Sequence, residues 1–262
     1  MRTRFAGGVL LFAVIACAAF LIGASLRDDL TFVSRAGTSL CKLACLLIGA
    51  AFSVASARAF EPGSPARRGW IAFAVFQSAW TLAQLWFCFV VIVRRAEVTV
   101  PSVADVLFVG GQLAAFFALF TFIEAWRSSG LVAPPSWSQR FAGAVTALSV
   151  VVAAGMTALA HHGVLPAADS IVVSIYPVLD CALLWPLVLL LAMSRGMGEG
   201  RVAVVWRHVL LGVLACGVGD FAYAFFAQLG VASLDPLIDF AFCASYAYIG
   251  FGAVRQDALA SA

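Results

Sequence analysis

The feature that most constrains this chain is a series of eight apolar segments, each near the ~20 residues an α-helix needs to cross a bilayer. They run approximately over 6–26, 39–59, 70–93, 104–126, 139–161, 170–193, 204–229 and 236–254. Inside a hydrocarbon layer only helices and closed barrels satisfy every backbone N–H and C=O, and continuous runs of this length choose the helix. Composition agrees: 63% of the 262 residues are hydrophobic and 11% are charged. A soluble domain carries roughly twice that charged fraction. The expected fold is all-α, a polytopic membrane helical bundle of about eight transmembrane helices, with residues 1–262 forming one integral membrane domain. Arg2 and Arg4 precede the first segment, and small residues lie near Ala24, as in a signal peptide. The apolar run is longer than the usual signal core, so the segment is expected to remain as a span.

Orientation follows from the arginines. With the N-terminus inside, Arg2, Arg4, Arg58, Arg67, Arg68, Arg127, Arg140, Arg195, Arg201, Arg207 and Arg255 are cytoplasmic. Only Arg27, Arg35, Arg94 and Arg95 fall outside, a clear positive-inside bias that predicts cytoplasmic termini at both ends. Trp70, Trp126, Trp137 and Trp206 lie at the same cytoplasmic ends, where an interfacial aromatic belt is expected.

The loops are short, and no phosphate-binding loop, zinc signature or nucleophile elbow is present, so any chemistry belongs to the bundle or to a partner. All seven cysteines lie in apolar segments and read as small buried hydrophobes rather than disulfides. Cys41 and Cys45 share a helix face without a neighbouring His or third Cys in sequence, so no metal set is assigned. His161 and His162 end the fifth segment and read as rim histidines, since adjacent helical residues point about 100° apart. No basic helix with interleaved aromatics is present, which excludes a nucleic-acid surface.

What departs from this apolar pattern is a handful of polar residues. In Ile175-Tyr-Pro-Val-Leu-Asp180 a carboxylate and a proline stand inside an apolar run. Cys181 to Met193 alone is too short to span, so the helix must begin before Pro177 and carry Asp180 into the membrane. A charge at that depth is costly and marks a site by default. Counting 1.5 Å per residue from the cytoplasmic arginine of each helix places Asp180, Asp220 and Asp239 at depths of about 22, 20 and 24 Å. By the same count Lys42, the only lysine, lies at about 24 Å, with Gln84, Gln112 and Tyr223 at about 24, 22 and 24 Å. Six helices thus place polar residues at one level, in the outer half of the membrane. Three carboxylates and one ammonium in low dielectric require that an Asp hold a proton or that a cation balance the set. One outcome is a cavity open to the outer face that binds a small polar or cationic ligand. The other is a set of interhelical hydrogen bonds that fixes the packing.

A weak repeat accompanies the layer: Pro101-Ser-Val-Ala-Asp105, Pro177-Val-Leu-Asp180 and Pro236-Leu-Ile-Asp239 each sit early in an outside-to-inside helix. Proline followed by an acid is also ordinary helix-start chemistry, the favoured reading for Asp105. Together PSVADVLFVGG (101–111), IYPVLD (175–180), GDFAYA (219–224) and LDPLIDFAFCASY (234–246) resemble the multi-pass N-terminal membrane sensor domain of bacterial GGDEF and EAL cyclic-di-GMP signalling proteins. The similarity runs from the third helix to the last. It implies a bacterial inner-membrane location and a sensing role relayed to a cytoplasmic signalling protein. Two departures stand out. Gln84 replaces an acid that the family often carries in the third helix, and the 262 residues contain no GGDEF, EAL or kinase module. Signalling output would then require a partner, or the bundle acts alone.

The leading expectation is an inner-membrane sensor or small-ligand-binding protein, with Asp180, Asp220, Asp239, Lys42, Gln84, Gln112, Tyr223 and Tyr176 forming a polar site and no cofactor identified. One alternative is a membrane-embedded enzyme on a lipid or isoprenoid substrate, with a protonated Asp as general acid in a cavity lined by Trp80, Trp86, Trp185 and Tyr176. Another is a small ion-coupled transporter, for which acids at depth and broken helices are typical.

Overall fold

The computed structural model describes residues 2–27, 30–96, 98–99, 101–128, 130, 136–161, 167–195, 200–229 and 235–261, with side chains for all of these except 153, 156–161, 167–173, 225–229 and 235. The described residues form eight helices. They are α1 (Arg2–Leu26), α2 (Thr31–Arg58), α3 (Pro65–Cys88, continued by a π-helical turn over Phe89–Val93), α4 (Val103–Ser128), α5 (Ser138–His161), α6 (Ala167–Ser194), α7 (Arg201–Leu229) and α8 (Asp235–Ala260). Each predicted apolar segment falls on one helix. Seven helices are long and apolar enough to cross a membrane. The eighth, α5, is helical over 24 residues. Its apolar stretch with described side chains, Ser138–Val152, is shorter than a span.

Local chemistry explains where helices start. The Ser64 side chain accepts from the Arg67 amide at 3.3 Å, and Pro65 occupies the first turn, where its missing N–H costs nothing. At α4 the Ser102 amide and hydroxyl both donate to Asp105 Oδ2, at 2.6 and 2.9 Å, so Asp105 does serve its own helix start. α6 begins ten residues before Pro177 and continues through both Pro177 and Pro186, which leaves Asp180 well inside it.

Helix neighbours close a ring. α2 packs on α3, α3 on α4, α4 on α6, α6 on α7, α7 on α8, and α8 back on α2. α1 lies outside this ring against α2 and α8, and α5 lies outside against α6. Large apolar side chains such as Phe5, Phe12, Ile15, Leu82, Phe117 and Val151 face outward, a surface that only an apolar surrounding stabilises. Arg2 donates to both carboxylate oxygens of Asp257 at 2.8 and 2.7 Å, so α1 begins where α8 ends and the two termini share one end of the bundle.

Aromatic side chains fill the ring near that end. Trp70 and Trp206 are each 1% exposed and stack with centroids 6.2 Å apart, while Phe122 packs edge-on to both and Trp126 edge-on to Trp206. This corrects the belt expected from sequence: Trp70 and Trp206 are core, because their helix faces point into the ring rather than toward a lipid interface. Further along, Phe76, Trp80 and Tyr246 continue the aromatic column, with Trp80 donating to the Phe108 carbonyl at 3.0 Å.

α7 and α8 approach most tightly at Gly212, where an added Cβ would stand 2.5 Å from Ile249 Cγ1 and 2.9 Å from the Ser245 carbonyl oxygen. Gly212→Val is expected to separate these helices and cost about 1–3 kcal/mol. A lowered Tm of the detergent-solubilised protein would register it, and an unchanged Tm would contradict the packing.

Candidate polar site within the helix ring

The six helices of the ring are the six that carry the polar residues singled out from sequence. Lys42 is on α2, Gln84 on α3, Gln112 on α4, Asp180 on α6, Asp220 on α7 and Asp239 on α8. The structure places them at one level of the ring but divides them into separate bonded sets, not the lining of one open cavity.

The first set joins α2 to α8. Lys42 Nζ lies 2.7 Å from Asp239 Oδ1, and Thr38 donates to Asp239 Oδ2 at 3.5 Å. The Lys42 side chain is 10% exposed and that of Asp239 33%. The only lysine of the chain is therefore committed to one of the three acids.

The second set joins α4, α6 and α7. Gln112 Nε2 donates to Asp180 Oδ1 at 2.9 Å, across from α4 to α6. A carboxyl oxygen of Asp180, one of Asp220 and the Cys216 sulfur all lie within 4.8 Å of one another. Cys216 is one helical turn before Asp220 and donates to its Oδ2 at 3.6 Å. Gly217 lets α7 approach α6, its side-chain position facing Asp180 at ordinary contact distance. Asp180 is 3% exposed and Gln112 0%. Asp180 Oδ2 and Gln112 Oε1 have no hydrogen-bond partner. Among the described residues no Lys, Arg or His forms a salt bridge with Asp180 or Asp220.

Gln84 and Tyr176 make their hydrogen bonds elsewhere, although Tyr176 stands within electrostatic reach of Asp220 and Tyr223. Gln84 Nε2 donates to the Ser39 carbonyl at 3.3 Å and ties α3 to α2. The Tyr176 hydroxyl donates to Asp105 Oδ1 at 2.7 Å, linking α6 to the start of α4. Tyr223 is 39% exposed and faces outward on α7. Among the described residues, packed side chains enclose both Asp180 and Gln112. The tryptophans named for a cavity do not gather into a lining: Trp185 donates to the Ser138 carbonyl on α5, and Trp86 pairs with Phe89. The side chain of His161 and the whole of His162 lie outside the described residues.

Three groups were missed in the sequence. Cys216 was read as core bulk, although its spacing of four from Asp220 puts both on one face. Ser245 on α8 is fully buried, and its hydroxyl interacts with the Cys216 thiol. Tyr246 is buried within electrostatic reach of Asp220, Asp239 and Tyr176, and so stands between the two sets. None of these interhelical neighbours leaves a local sequence signal. The same holds for cysteine. Cys243 interacts with both Cys17 and Cys45, so thiols of α1, α2 and α8 meet although their sequence positions are remote. All seven cysteines are free and buried.

Two buried carboxyls this close cannot both be ionised in low dielectric without a compensating positive charge. The arrangement is therefore equipped to hold either a proton shared by the pair or a cation. The Lys42–Asp239 set needs neither. Because Lys42 is the more enclosed partner, Asp239→Asn strands a buried ammonium and should cost about 3 kcal/mol, whereas Lys42→Met leaves a partly solvated carboxylate and should cost about 1 kcal/mol. Thermal unfolding in detergent measures both, and the Lys42→Met/Asp239→Leu double variant should recover most of the larger loss. Comparison with protein-family models, with curated proteins and with solved structures returns no match for this chain.

Proposed function

We propose that the chain is a multi-pass inner-membrane protein that binds a small cationic ligand between Asp180 and Asp220 and relays its occupancy to a cytoplasmic partner. The observation that carries this reading is the unbalanced pair itself. Two buried carboxyls stand together, one with an oxygen lacking any partner, while the only lysine neutralises a different acid. A purely structural network would satisfy its own groups, since a half-satisfied buried network is worse than an apolar core. Natural membrane helices keep buried acids chiefly where they act.

Support for the membrane setting comes from the outward apolar faces and the seven span-length helices. The arginine distribution puts both termini in the cytoplasm, in keeping with their meeting at the Arg2–Asp257 pair. The pair then lies in the outer half of the bundle. The relay follows from the resemblance to sensor domains of cyclic-di-GMP signalling proteins. α6 and α7 each run from the acid toward the end that carries the termini, and so provide the mechanical link.

Two measurements test this reading. A C-terminal fluorescent-protein fusion should be bright and a C-terminal alkaline phosphatase fusion inactive; the reverse pattern would place the site on the cytoplasmic side. A panel of inorganic cations and small amines should contain at least one member that raises the Tm of the detergent-solubilised protein by several degrees. Asp180→Asn and Asp220→Asn should each abolish that rise. A panel with no effect, or one whose effect survives both substitutions, would contradict the site.

A further inference from the structure

We infer that the ligand of this pair is a divalent metal ion of the zinc class, held by Asp180, Cys216 and Asp220, with Gln112 and Ser245 completing its surroundings; this deepens the binding reading above and rests on it. The three ligand atoms already lie within 4.8 Å of one another, on two adjacent helices. Tetrahedral zinc at about 2.0–2.3 Å from each ligand needs donors roughly 3.5 Å apart, so side-chain adjustments of about an ångström close the set.

An acidic cluster alone would carry little, but two further groups point into it. Gln112 is 0% exposed and holds Asp180 Oδ1 through its Nε2, which leaves its Oε1 unpartnered beside the same carboxyl. Ser245 is likewise fully buried, and its hydroxyl interacts with the Cys216 thiol. Asp180 Oδ2 and Gln112 Oε1 are thus two buried oxygens without a hydrogen-bond partner, beside one sulfur and a second carboxyl. Orphaned acceptors in a dry interior are costly, and a cation satisfies several at once.

The donor set selects the ion. A monovalent cation offsets one carboxylate and gains nothing from sulfur. Calcium and magnesium prefer oxygen alone and demand six or more ligands or several waters. Two carboxylates with one thiolate suit a borderline divalent ion such as zinc or cobalt; the Cys216 thiol gives up its proton to solvent as the ion enters, and the three anions with the 2+ ion keep one net negative charge, which the Gln112 amide and the Ser245 hydroxyl solvate. Gln112 then acts as a positioning residue, orienting Asp180 by the hydrogen bond it already makes.

The test uses the full chain, purified in detergent and stripped with a chelator. Equilibrium dialysis should find one Zn2+ per chain. Co2+ should bind at the same site and give visible d–d bands together with a near-ultraviolet sulfur-to-metal charge-transfer band. Cys216→Ser, which removes one atom type and little volume, should abolish the charge-transfer band and weaken binding at least tenfold. Asp180→Asn and Asp220→Asn should weaken it a hundredfold or more, and Gln112→Leu about tenfold. If the charge-transfer band survives Cys216→Ser and disappears in Cys45→Ser, the metal sits at the thiols of α1, α2 and α8 and the inference is wrong. Failure of both metals to bind, alongside an amine whose stabilising effect is still lost in Asp180→Asn, would overturn the metal assignment and leave the binding site standing. Failure of metals and amines alike would overturn both.

Discussion

Everything distinctive about this bundle depends on how charge is balanced where water is absent. The chain spends one lysine on the interior, and that lysine is bonded to Asp239 at 2.7 Å. The α2–α8 contact is thereby made electrically whole. Asp180 and Asp220, across the ring on α6 and α7, share no such partner among the described residues. The asymmetry between these two sets, not the presence of acids as such, is what separates scaffold from site. A pair that brings its own counter-charge fixes a helix contact. A pair without one holds either a shared proton or a cation, and the proposed function takes the second.

The architecture serves this requirement. A ring of six helices, with α1 and α5 outside it, gathers side chains from remote parts of the chain at one level. Toward the shared end of the termini, Trp70, Phe122 and Trp206 fill the interior with stacked and edge-on rings. These rings give α3, α4 and α7 a common core. Trp80 and Tyr246 extend the column to the polar level, where Tyr246 borders both sets. A change of charge at Asp220 is therefore felt by α8 as well as by α6 and α7.

Much of this was legible in the residues, and what was not has a physical reason. Helix number and position follow from segment length and apolarity, which are local quantities. Depth also follows locally, because 1.5 Å per residue needs no knowledge of neighbours. The shared level of Lys42, Gln84, Gln112, Asp180, Asp220 and Asp239 was thus readable. Azimuth around the ring was not. Nothing in the sequence says that Lys42 faces Asp239 rather than Asp180, since both lie at the same height. The tryptophans show the same limit: Trp70 and Trp206 stand at interface depth, but their rotation turns them inward. Cys216 was passed over because a lone cysteine in an apolar helix looks like any small hydrophobe. Asp105 shows both kinds of information: its helix-start role is local, while the bond of its second oxygen to Tyr176 exists only because α4 packs on α6.

The most direct measurement of the central claim is an experimental structure of the protein prepared with zinc, with anomalous scattering recorded on both sides of the zinc edge. A metal held by Asp180, Cys216 and Asp220 gives a single anomalous peak within bonding distance of all three, with Lys42 still bonded to Asp239. A structure in which Lys42 has crossed to Asp180, or in which the two carboxyls are bonded directly to each other with no peak between them, would contradict it.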